Sequence, residues 1–161
     1  MNKAYLLLGS NLGNRLINLE NARQHISRQV GPIVTASSVY ETAPWGNENQ
    51  GMFYNQVVEI NTTLQPRVLL ANTLVIETVL GRIRSNDKFG PRVIDIDLLF
   101  YNDEILNTPE LTLPHPALQS RRFTLEPLNE IAPDFMHPVI GKSVNQLLAE
   151  CTDNLPVTRI T

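Results

Sequence analysis

Two aspartates two positions apart, Asp95 and Asp97, carry the strongest chemical signal in the sequence. They lie in an aliphatic and β-branched stretch, Val93 to Tyr101, that predicts a β-strand. Side chains at i and i+2 of a strand share a face, so the two carboxylates should project together. The opposite face would be buried by Ile94, Ile96, Leu98 and Phe100. Paired carboxylates repel each other and suit Mg²⁺ shared with a polyphosphate, although a solvated strand face is the alternative for an isolated pair.

A basic segment directly precedes this strand. Residues 82–92 contain four basic side chains and one acidic side chain, in a chain whose net charge is −3. The basic residues are Arg82, Arg84, Lys88 and Arg92. Arginine binds phosphate oxygens through paired, charge-assisted hydrogen bonds. Metal-binding acids beside such arginines favour phosphoryl chemistry, and a basic loop paired with nearby acids is the alternative.

A second signal is a histidine held between two prolines. His115 lies between Pro114 and Pro116, which fix an extended backbone, and the basic pair Arg121-Arg122 follows it. An imidazole fixed near two guanidinium groups could contact phosphate or ribose oxygens. A hydrogen-bonded structural histidine is an equally good interpretation of the same residues.

A third signal combines aromatic and amide side chains. Phe53 and Asn55 share one face of a predicted strand, and they follow a loop that contains Trp45. A flat, hydrogen-bonding heterocycle requires such a set, because rings stack on it and an amide pairs with its edge. In isolation, an aromatic core residue beside a strand-end asparagine explains the pattern better.

The elements that must position these residues follow the order β-α-β-β-α-β. We predict a strand at 4–8, a helix that Asn11 caps and that ends near 30–32, strands at 33–42 and 53–62, a helix from Pro66 to the Gly81 cap, and the strand at 93–101. This order predicts an α+β fold, a ferredoxin-like sandwich with an antiparallel sheet. The proline-rich remainder, 102–161, suggests extra loops and short helices, with one late helix at 143–150.

Length and composition indicate one ordinary globular domain. The 161 residues are 42% hydrophobic and 18% charged, and the single cysteine excludes a disulfide within the chain. No apolar run reaches the ~18 residues that would cross a membrane, and the N-terminal stretch is too short for a signal peptide. We therefore expect a cytoplasmic protein that binds neither nucleic acid nor membrane.

Five separated motifs occur in a specific order along the chain. They are Leu8-Gly9-Ser10-Asn11-Leu12-Gly13, Ser37 to Pro44, Gly90-Pro91-Arg92-x-x-Asp95-x-Asp97, Pro114-His115-Pro116 and Glu130-Ile131-Ala132-Pro133. In this combination the sequence resembles the 6-hydroxymethyl-7,8-dihydropterin pyrophosphokinase family over nearly its full length. The resemblance implies a monomer with a single domain over residues 1–161. It also implies transfer of pyrophosphate from ATP to the hydroxymethyl oxygen of a reduced pterin in folate biosynthesis, with AMP as the second product.

The same resemblance implies a role for each candidate residue. Asp95 and Asp97 would hold two Mg²⁺ ions, while Arg82 and Arg92 would bind the ATP phosphates and stabilise charge in the transition state. Further contacts with ATP would come from Arg84, Lys88, Thr112, His115 and Arg121. The pterin pocket would be lined by Thr42, Trp45, Asn55 and Phe89, with Phe53 and Phe123 on the two faces of the ring.

Four positions depart from residues that are frequent in this family. They are Lys88, where Arg is common, Phe89, where Trp is usual, Phe53, where Tyr is frequent, and Trp45, where a smaller aliphatic residue can occur. These differences affect the expected substrate affinity and leave the expected class of reaction unchanged.

Two alternatives from other functional classes stay open on the residues alone. The first is a ferredoxin-like module that binds a ligand or RNA, although RNA binding would require exposed aromatic residues where Asp95 and Asp97 stand. The second is an ordinary kinase that transfers one γ-phosphoryl group. Only the family resemblance separates transfer of one phosphoryl group from transfer of two.

Overall fold

The computed structural model describes residues 1–46, 49–82 and 90–161. These residues form eight strands: β1 (Asn2–Ser10), β2 (Ile33–Ala36), β3 (Tyr40–Thr42), β4 (Phe53–Thr62), β5 (Asp95–Tyr101), β6 (Leu106–Asn107), β7 (Thr112–Leu113) and β8 (Val157–Arg159). Within the described residues, six of these strands form one antiparallel sheet. Five of them follow the order β5-β1-β4-β3-β8, and the sixth, β2, pairs with a later stretch of β4 than β3 does. The two short strands β6 and β7 pair separately.

Helices cover both faces of this sheet. They are α1 (Arg15–Gln29), α2 (Pro66–Val79), α3 (Arg122–Ile131) and α4 (Val144–Glu150), with a short 3-10 turn at Leu118–Ser120. One hydrophobic core lies between the sheet and α1 and α2, and a second lies between the sheet and α3 and α4. The predicted order β-α-β-β-α-β and the α+β class are confirmed. Among the described residues, no helix combines the length and the apolar character needed to cross a membrane.

Strand β1 is central and buried on both faces. Leu6 and Leu8 belong to the core under α1 and α2, whereas Tyr5 and Leu7 belong to the core under α3 and α4. A strand buried on both sides has no polar face, which explains its continuous apolar sequence. Gly9 ends this run on the α3 side of the sheet, where the strand reaches the site described below.

Strand β5 corrects one prediction about side-chain direction. The strand begins at Asp95, two residues later than expected, and its pairing with β1 skips Leu99. This bulge moves Phe100 to the face opposite Ile96, where it packs against Tyr5 at a ring-centroid distance of 6.2 Å. The prediction that Phe100 shares a face with Ile96 was therefore wrong. Asp95 and Asp97 precede the bulge and keep a common face, as predicted.

Three further element boundaries differ from the predictions. Strand β1 runs from Asn2 to Ser10 and so extends beyond both ends of the predicted 4–8 segment. Helix α1 is capped by Asn14, whose side chain accepts a hydrogen bond from the Ile17 amide at 3.1 Å, and not by Asn11. The predicted strand at 33–42 is divided into β2 and β3 because Ser37 turns to β4, with its hydroxyl accepting the Val57 amide at 3.0 Å. Strand β4, the start of α2 and the late helix agree with the predicted boundaries.

Candidate active site

A cavity of about 470 Å³ lies where the ends of β1, β4 and β5 meet, with lining residues from α2 as well as from the α3 side of the sheet. Its walls contain most of the predicted site residues: Thr42, Trp45, Phe53, Asn55, Arg82, Arg92, Asp95, Asp97, His115, Arg121 and Phe123. Thr112 is not among the lining residues and lies in β7, opposite Asn107. The predictions for Arg84, Lys88 and Phe89 fall outside the described residues.

The two carboxylates stand in register with the end of β1. Asp95 lies opposite Gly9, and Asp97 lies opposite Leu7. The carboxylate of Asp95 is held from both sides, since Oδ1 accepts from Arg82 Nη1 at 2.8 Å and Oδ2 accepts from Arg92 Nη1 at 3.0 Å.

Asp97 lies in a different electrostatic environment. Burial, and then the negative charges of Asp95 and Glu77, hold the pKa of the Asp97 carboxyl well above its usual range, and the positive charges of Arg121 and Arg92 oppose this shift only in part. Both burial and the neighbouring carboxylates thus disfavour the charged form of Asp97. A cation bound beside this carboxyl would favour its charged form.

Glu77 is a site residue that the sequence analysis missed. It lies on the inner side of α2 with 2% of its surface exposed. Its carboxylate accepts from Arg82 Nη1 at 2.9 Å and from the backbone amide of Ile96 at 2.7 Å. Glu77 thus ties α2 to β5 and holds Arg82 beside Asp95. The available signal was its position one helical turn after Thr73, on the apolar stripe of α2.

Asn11 is the second residue whose role the sequence analysis missed. Its side-chain amide donates to Gln50 Oε1 at 2.9 Å and to the Gly51 carbonyl at 3.1 Å. Its Oδ1 accepts from the Arg92 amide at 2.8 Å, and its own amide donates to the Arg92 carbonyl at 3.1 Å. Asn11 therefore connects the end of the 44–52 loop to the backbone of a predicted phosphate ligand.

His115 is fixed by its backbone and by its ring. Its amide donates to the Leu99 carbonyl at 3.0 Å, and its Nδ1 accepts from the Ala117 amide at 3.1 Å. Nδ1 is an acceptor, so the proton of the neutral ring resides on Nε2. Burial, followed by the charge of Arg121, lowers the pKa of His115 to about 4. The ring is therefore a neutral hydrogen-bond donor at pH 7.

The opposite end of the cavity carries the amide and the aromatic rings. Asn55 Nδ2 donates to Thr42 Oγ1 at 2.7 Å, and both residues are buried. Phe53 lies beneath Arg92, with 5.8 Å between the guanidinium carbon and the ring centroid. Trp45 and Phe123 contact each other with centroids 6.1 Å apart. This part of the cavity suits a flat polar ring, with the guanidinium groups of Arg92 and Arg121 next to the aromatic rings.

Known proteins resemble this chain at the level of sequence. The family model described as 7,8-dihydro-6-hydroxymethylpterin-pyrophosphokinase matches residues 5–133. A 2-amino-4-hydroxy-6-hydroxymethyldihydropteridine pyrophosphokinase of Methylorubrum extorquens is 43% identical over 151 residues, which cover 93% of this chain and 94% of that protein. A protein of the same name from Aquifex aeolicus is 41% identical over 152 residues and 94% of each chain. The chain also matches 20% of the longer folic acid synthesis protein fol1 of Pneumocystis carinii, at 39% identity.

Solved structures share the fold. The Plasmodium falciparum HPPK-DHPS wild type with pteroate superimposes with a TM-score of 0.76 at 19% identity, covering 92% of this chain and 42% of that one. The chain thus spans less than half of that larger protein. The match of sequence over most of the chain, together with the ferredoxin-like fold, establishes the family. The chain belongs to the 7,8-dihydro-6-hydroxymethylpterin-pyrophosphokinase family.

Proposed function

We infer that this chain transfers pyrophosphate from ATP to the hydroxymethyl oxygen of 6-hydroxymethyl-7,8-dihydropterin in folate synthesis, releasing AMP and the pterin diphosphate. Family membership supports this reaction. The observation that carries it is a single cavity in which a carboxylate pair and arginines adjoin an amide and aromatic rings.

The carboxylate pair fits a divalent cation. We propose that Asp95 and Asp97 hold two Mg²⁺ ions together with the ATP phosphates. Mg²⁺ commonly binds only one or two protein carboxylates and completes its coordination shell with water and phosphate oxygens, so a pair of aspartates is enough. Among the described residues, no cluster of three or more His, Cys, Asp or Glu side chains offers another metal site. Burial, and then the charges of Asp95 and Glu77, raise the pKa of the Asp97 carboxyl, and a cation bound there would oppose both effects, which supports the same assignment. Bound there, Mg²⁺ would neutralise the triphosphate and orient it for in-line displacement.

The arginines and His115 would bind the triphosphate. Arg82 and Arg92 hold Asp95 from two sides, so a short rotation of either guanidinium would bring it to a phosphate oxygen beside that carboxylate. Arg121 and the neutral Nε2–H of His115 add donors from the other wall. Contacts of Arg84, Lys88 and Thr112 with ATP stay predictions.

The reduced pterin would occupy the other end of the cavity. The edge of its ring would pair with the amide of Asn55, which Thr42 fixes, while Phe53 and Phe123 would lie on its two faces and Trp45 beside it. A contact of Phe89 with the pterin stays a prediction. The hydroxymethyl oxygen would then face the carboxylate end. This oxygen forms its bond to the β-phosphorus as the bond from that phosphorus to the bridging oxygen of AMP breaks. The hydroxyl proton is released, so the products are the pterin diphosphate, AMP and H⁺. The protein contributes position and charge neutralisation.

A product assay tests the function. Purified chain is incubated with ATP, Mg²⁺ and 6-hydroxymethyl-7,8-dihydropterin, and nucleotides and pterins are separated chromatographically. AMP and pterin diphosphate in equal amounts are expected, whereas ADP would indicate an ordinary kinase and lack of turnover would indicate a binding module. We further propose that residues 1–161 act as one domain in the cytoplasm and as a monomer. Light scattering at assay concentration checks the monomeric state.

A further inference from the structure

We propose that the side chain of Trp45 positions Arg121 for the polyphosphate of ATP, and so joins the pterin end of the cavity to the phosphate end. This inference rests on the proposed function, because it takes a nucleotide polyphosphate as the anion that Arg121 binds. The indole is thereby assigned a role in nucleotide binding, beyond the pterin-side lining that the sequence predicts for this position.

The backbone of Arg121 is fixed while its side chain reaches into the cavity. Its amide donates to the Leu118 carbonyl at 3.3 Å, and its carbonyl accepts from the amides of Thr124 and Leu125, in the first turn of α3, at 3.1 Å each. The guanidinium carbon lies 5.6 Å from the ring centroid of Trp45 and 5.6 Å from that of Phe123. Both distances lie within the range of cation–π attraction.

Aromatic contacts are the main restraint on this guanidinium. Its Nε is buried without a hydrogen-bond partner. Among the described residues, Arg121 forms no salt bridge, in contrast to Arg82 and Arg92. A buried donor without a partner is unfavourable until a ligand supplies an acceptor. Among the described arginines of the cavity, Arg82 and Arg92 are held by a carboxylate, whereas Arg121 is held by ring faces. Its N–H donors therefore stay available to a ligand.

Arg121 lines the same cavity as the carboxylates proposed to hold the metal, Asp95 and Asp97. Burial lowers the pKa of Arg121, and the charges of Asp97 and Asp95 oppose this shift. The two rings that hold it, Trp45 and Phe123, line the same cavity as Asn55, the residue proposed to bind the pterin edge. The start of the Trp45 loop is anchored, because the Ala43 amide donates to the Pro156 carbonyl at 3.4 Å. One guanidinium thus touches both halves of the cavity.

The indole supplies more than volume at this position. Tryptophan presents the strongest cation–π face, whereas a leucine would pack against the guanidinium methylene groups without attracting its charge. Trp45→Leu should therefore leave Arg121 present but poorly aimed. Trp45→Phe keeps an aromatic face and should keep most of the effect.

A double-mutant cycle tests the proposal. The affinity for a non-hydrolysable ATP analogue with Mg²⁺, without pterin, is measured calorimetrically for wild type, Trp45→Leu, Arg121→Met and the double variant. Trp45→Leu should weaken binding roughly 3- to 10-fold. Arg121→Met should weaken it further, and adding Trp45→Leu to Arg121→Met should change the affinity less than about 2-fold. Met52→Leu, at an exposed side chain of the same loop, is the control that should retain wild-type affinity.

Fluorescence gives an independent measurement. Trp45 is the only tryptophan, so its emission reports on this site alone. The analogue should change the emission of wild type and leave that of Arg121→Met unchanged. Circular dichroism establishes that each variant is folded, and Trp45→Phe gives the second test if Trp45→Leu is not.

Two results would overturn the inference. One is an equal loss of nucleotide affinity on Trp45→Leu with and without Arg121, which would mean that the indole acts through the loop alone. The other is a change in pterin affinity with unchanged nucleotide affinity. Neither result alters the product assay, so AMP formation by wild type would preserve the proposed function, whereas its absence would remove that function whatever the cycle shows.

Discussion

One methyl group added at Gly9 should weaken pterin binding and leave nucleotide binding nearly unchanged. Gly9 lies in β1 opposite Asn55 of β4 and Asp95 of β5, on the floor of the cavity. A Cβ placed on Gly9 would lie 2.7 Å from Asn55 Oδ1, a distance that real Cβ atoms do not tolerate, and 3.6 Å from the Phe53 ring, which is ordinary contact. The backbone there is an ordinary strand, so alanine would collide with Asn55 without straining φ.

The size of the effect follows from what Asn55 loses. Its carboxamide must turn away from residue 9, which breaks the 2.7 Å hydrogen bond to Thr42 and leaves two buried polar groups without partners. Loss of such a bond costs about 1–3 kcal/mol. In the proposed complex the turned carboxamide can no longer pair with the edge of the pterin, a loss of the same size, so Gly9→Ala should weaken pterin binding roughly 5- to 150-fold.

Steady-state kinetics with each substrate varied in turn measures this effect. The KM for pterin should rise within that range, while the KM for ATP should change less than about 2-fold, because the arginines and the carboxylates do not contact the new methyl group. Gly51→Ala is a matched control, since its Cβ would meet only the Asn11 carbonyl, at 3.6 Å. An unchanged pterin KM in Gly9→Ala, or an equal rise for both substrates, would refute the assignment of Asn55 to the pterin.

Three further predictions concern charge in the site and elsewhere. Asp97→Asn should stay folded and lose at least about 100-fold in AMP formation together with the Mg²⁺ dependence of nucleotide affinity, and wild-type turnover would contradict the metal assignment. Glu77→Gln keeps an acceptor for the Ile96 amide but loses the charge that faces Arg82, so urea titration should show a free energy of unfolding lower by about 1–3 kcal/mol; an unchanged midpoint at unchanged slope would argue against it. Burial lowers the pKa of His137, whose Nδ1 accepts hydrogen bonds from two backbone amides. As pH falls, His137 is therefore protonated at a higher pH in the unfolded chain than in the folded chain. Its contribution to the free energy of unfolding should be complete above the ordinary pKa of 6.5 and should fall as pH drops below it; thermal melts from pH 5 to 8 should show a smaller decline for His137→Asn than for wild type, and parallel declines would contradict this.

Local sequence predicted the fold where one element depends mainly on its own residues. Strand β4 alternates cleanly, and Pro66 marks the start of α2, so both boundaries were found. The division of the 33–42 segment depends instead on Ser37 bonding to Val57, twenty residues away. The bulge at Leu99 likewise arises from pairing with β1, and no periodicity within β5 announces it. Register between distant strands is the information that a pattern within one strand lacks.

The site shows the same division between local and distant information. The common face of Asp95 and Asp97 was predicted correctly because a strand places i and i+2 on one face, a rule that needs no partner strand. Asn11 was misassigned because an asparagine before an apolar run is typical of a helix cap, and its actual partner, Arg92, is 81 positions away.

Glu77 lies between these cases. A carboxylate on a buried helical stripe requires a cation, and Arg82, five residues later, is near enough in sequence to be proposed as that partner. What the sequence does not contain is that the same guanidinium also reaches Asp95 at 2.8 Å, which requires α2 to end beside β5. One arginine shared by two carboxylates from different elements is a tertiary property. The charge balance of the catalytic end therefore depends on how the helix meets the sheet as much as on the motif that first revealed it.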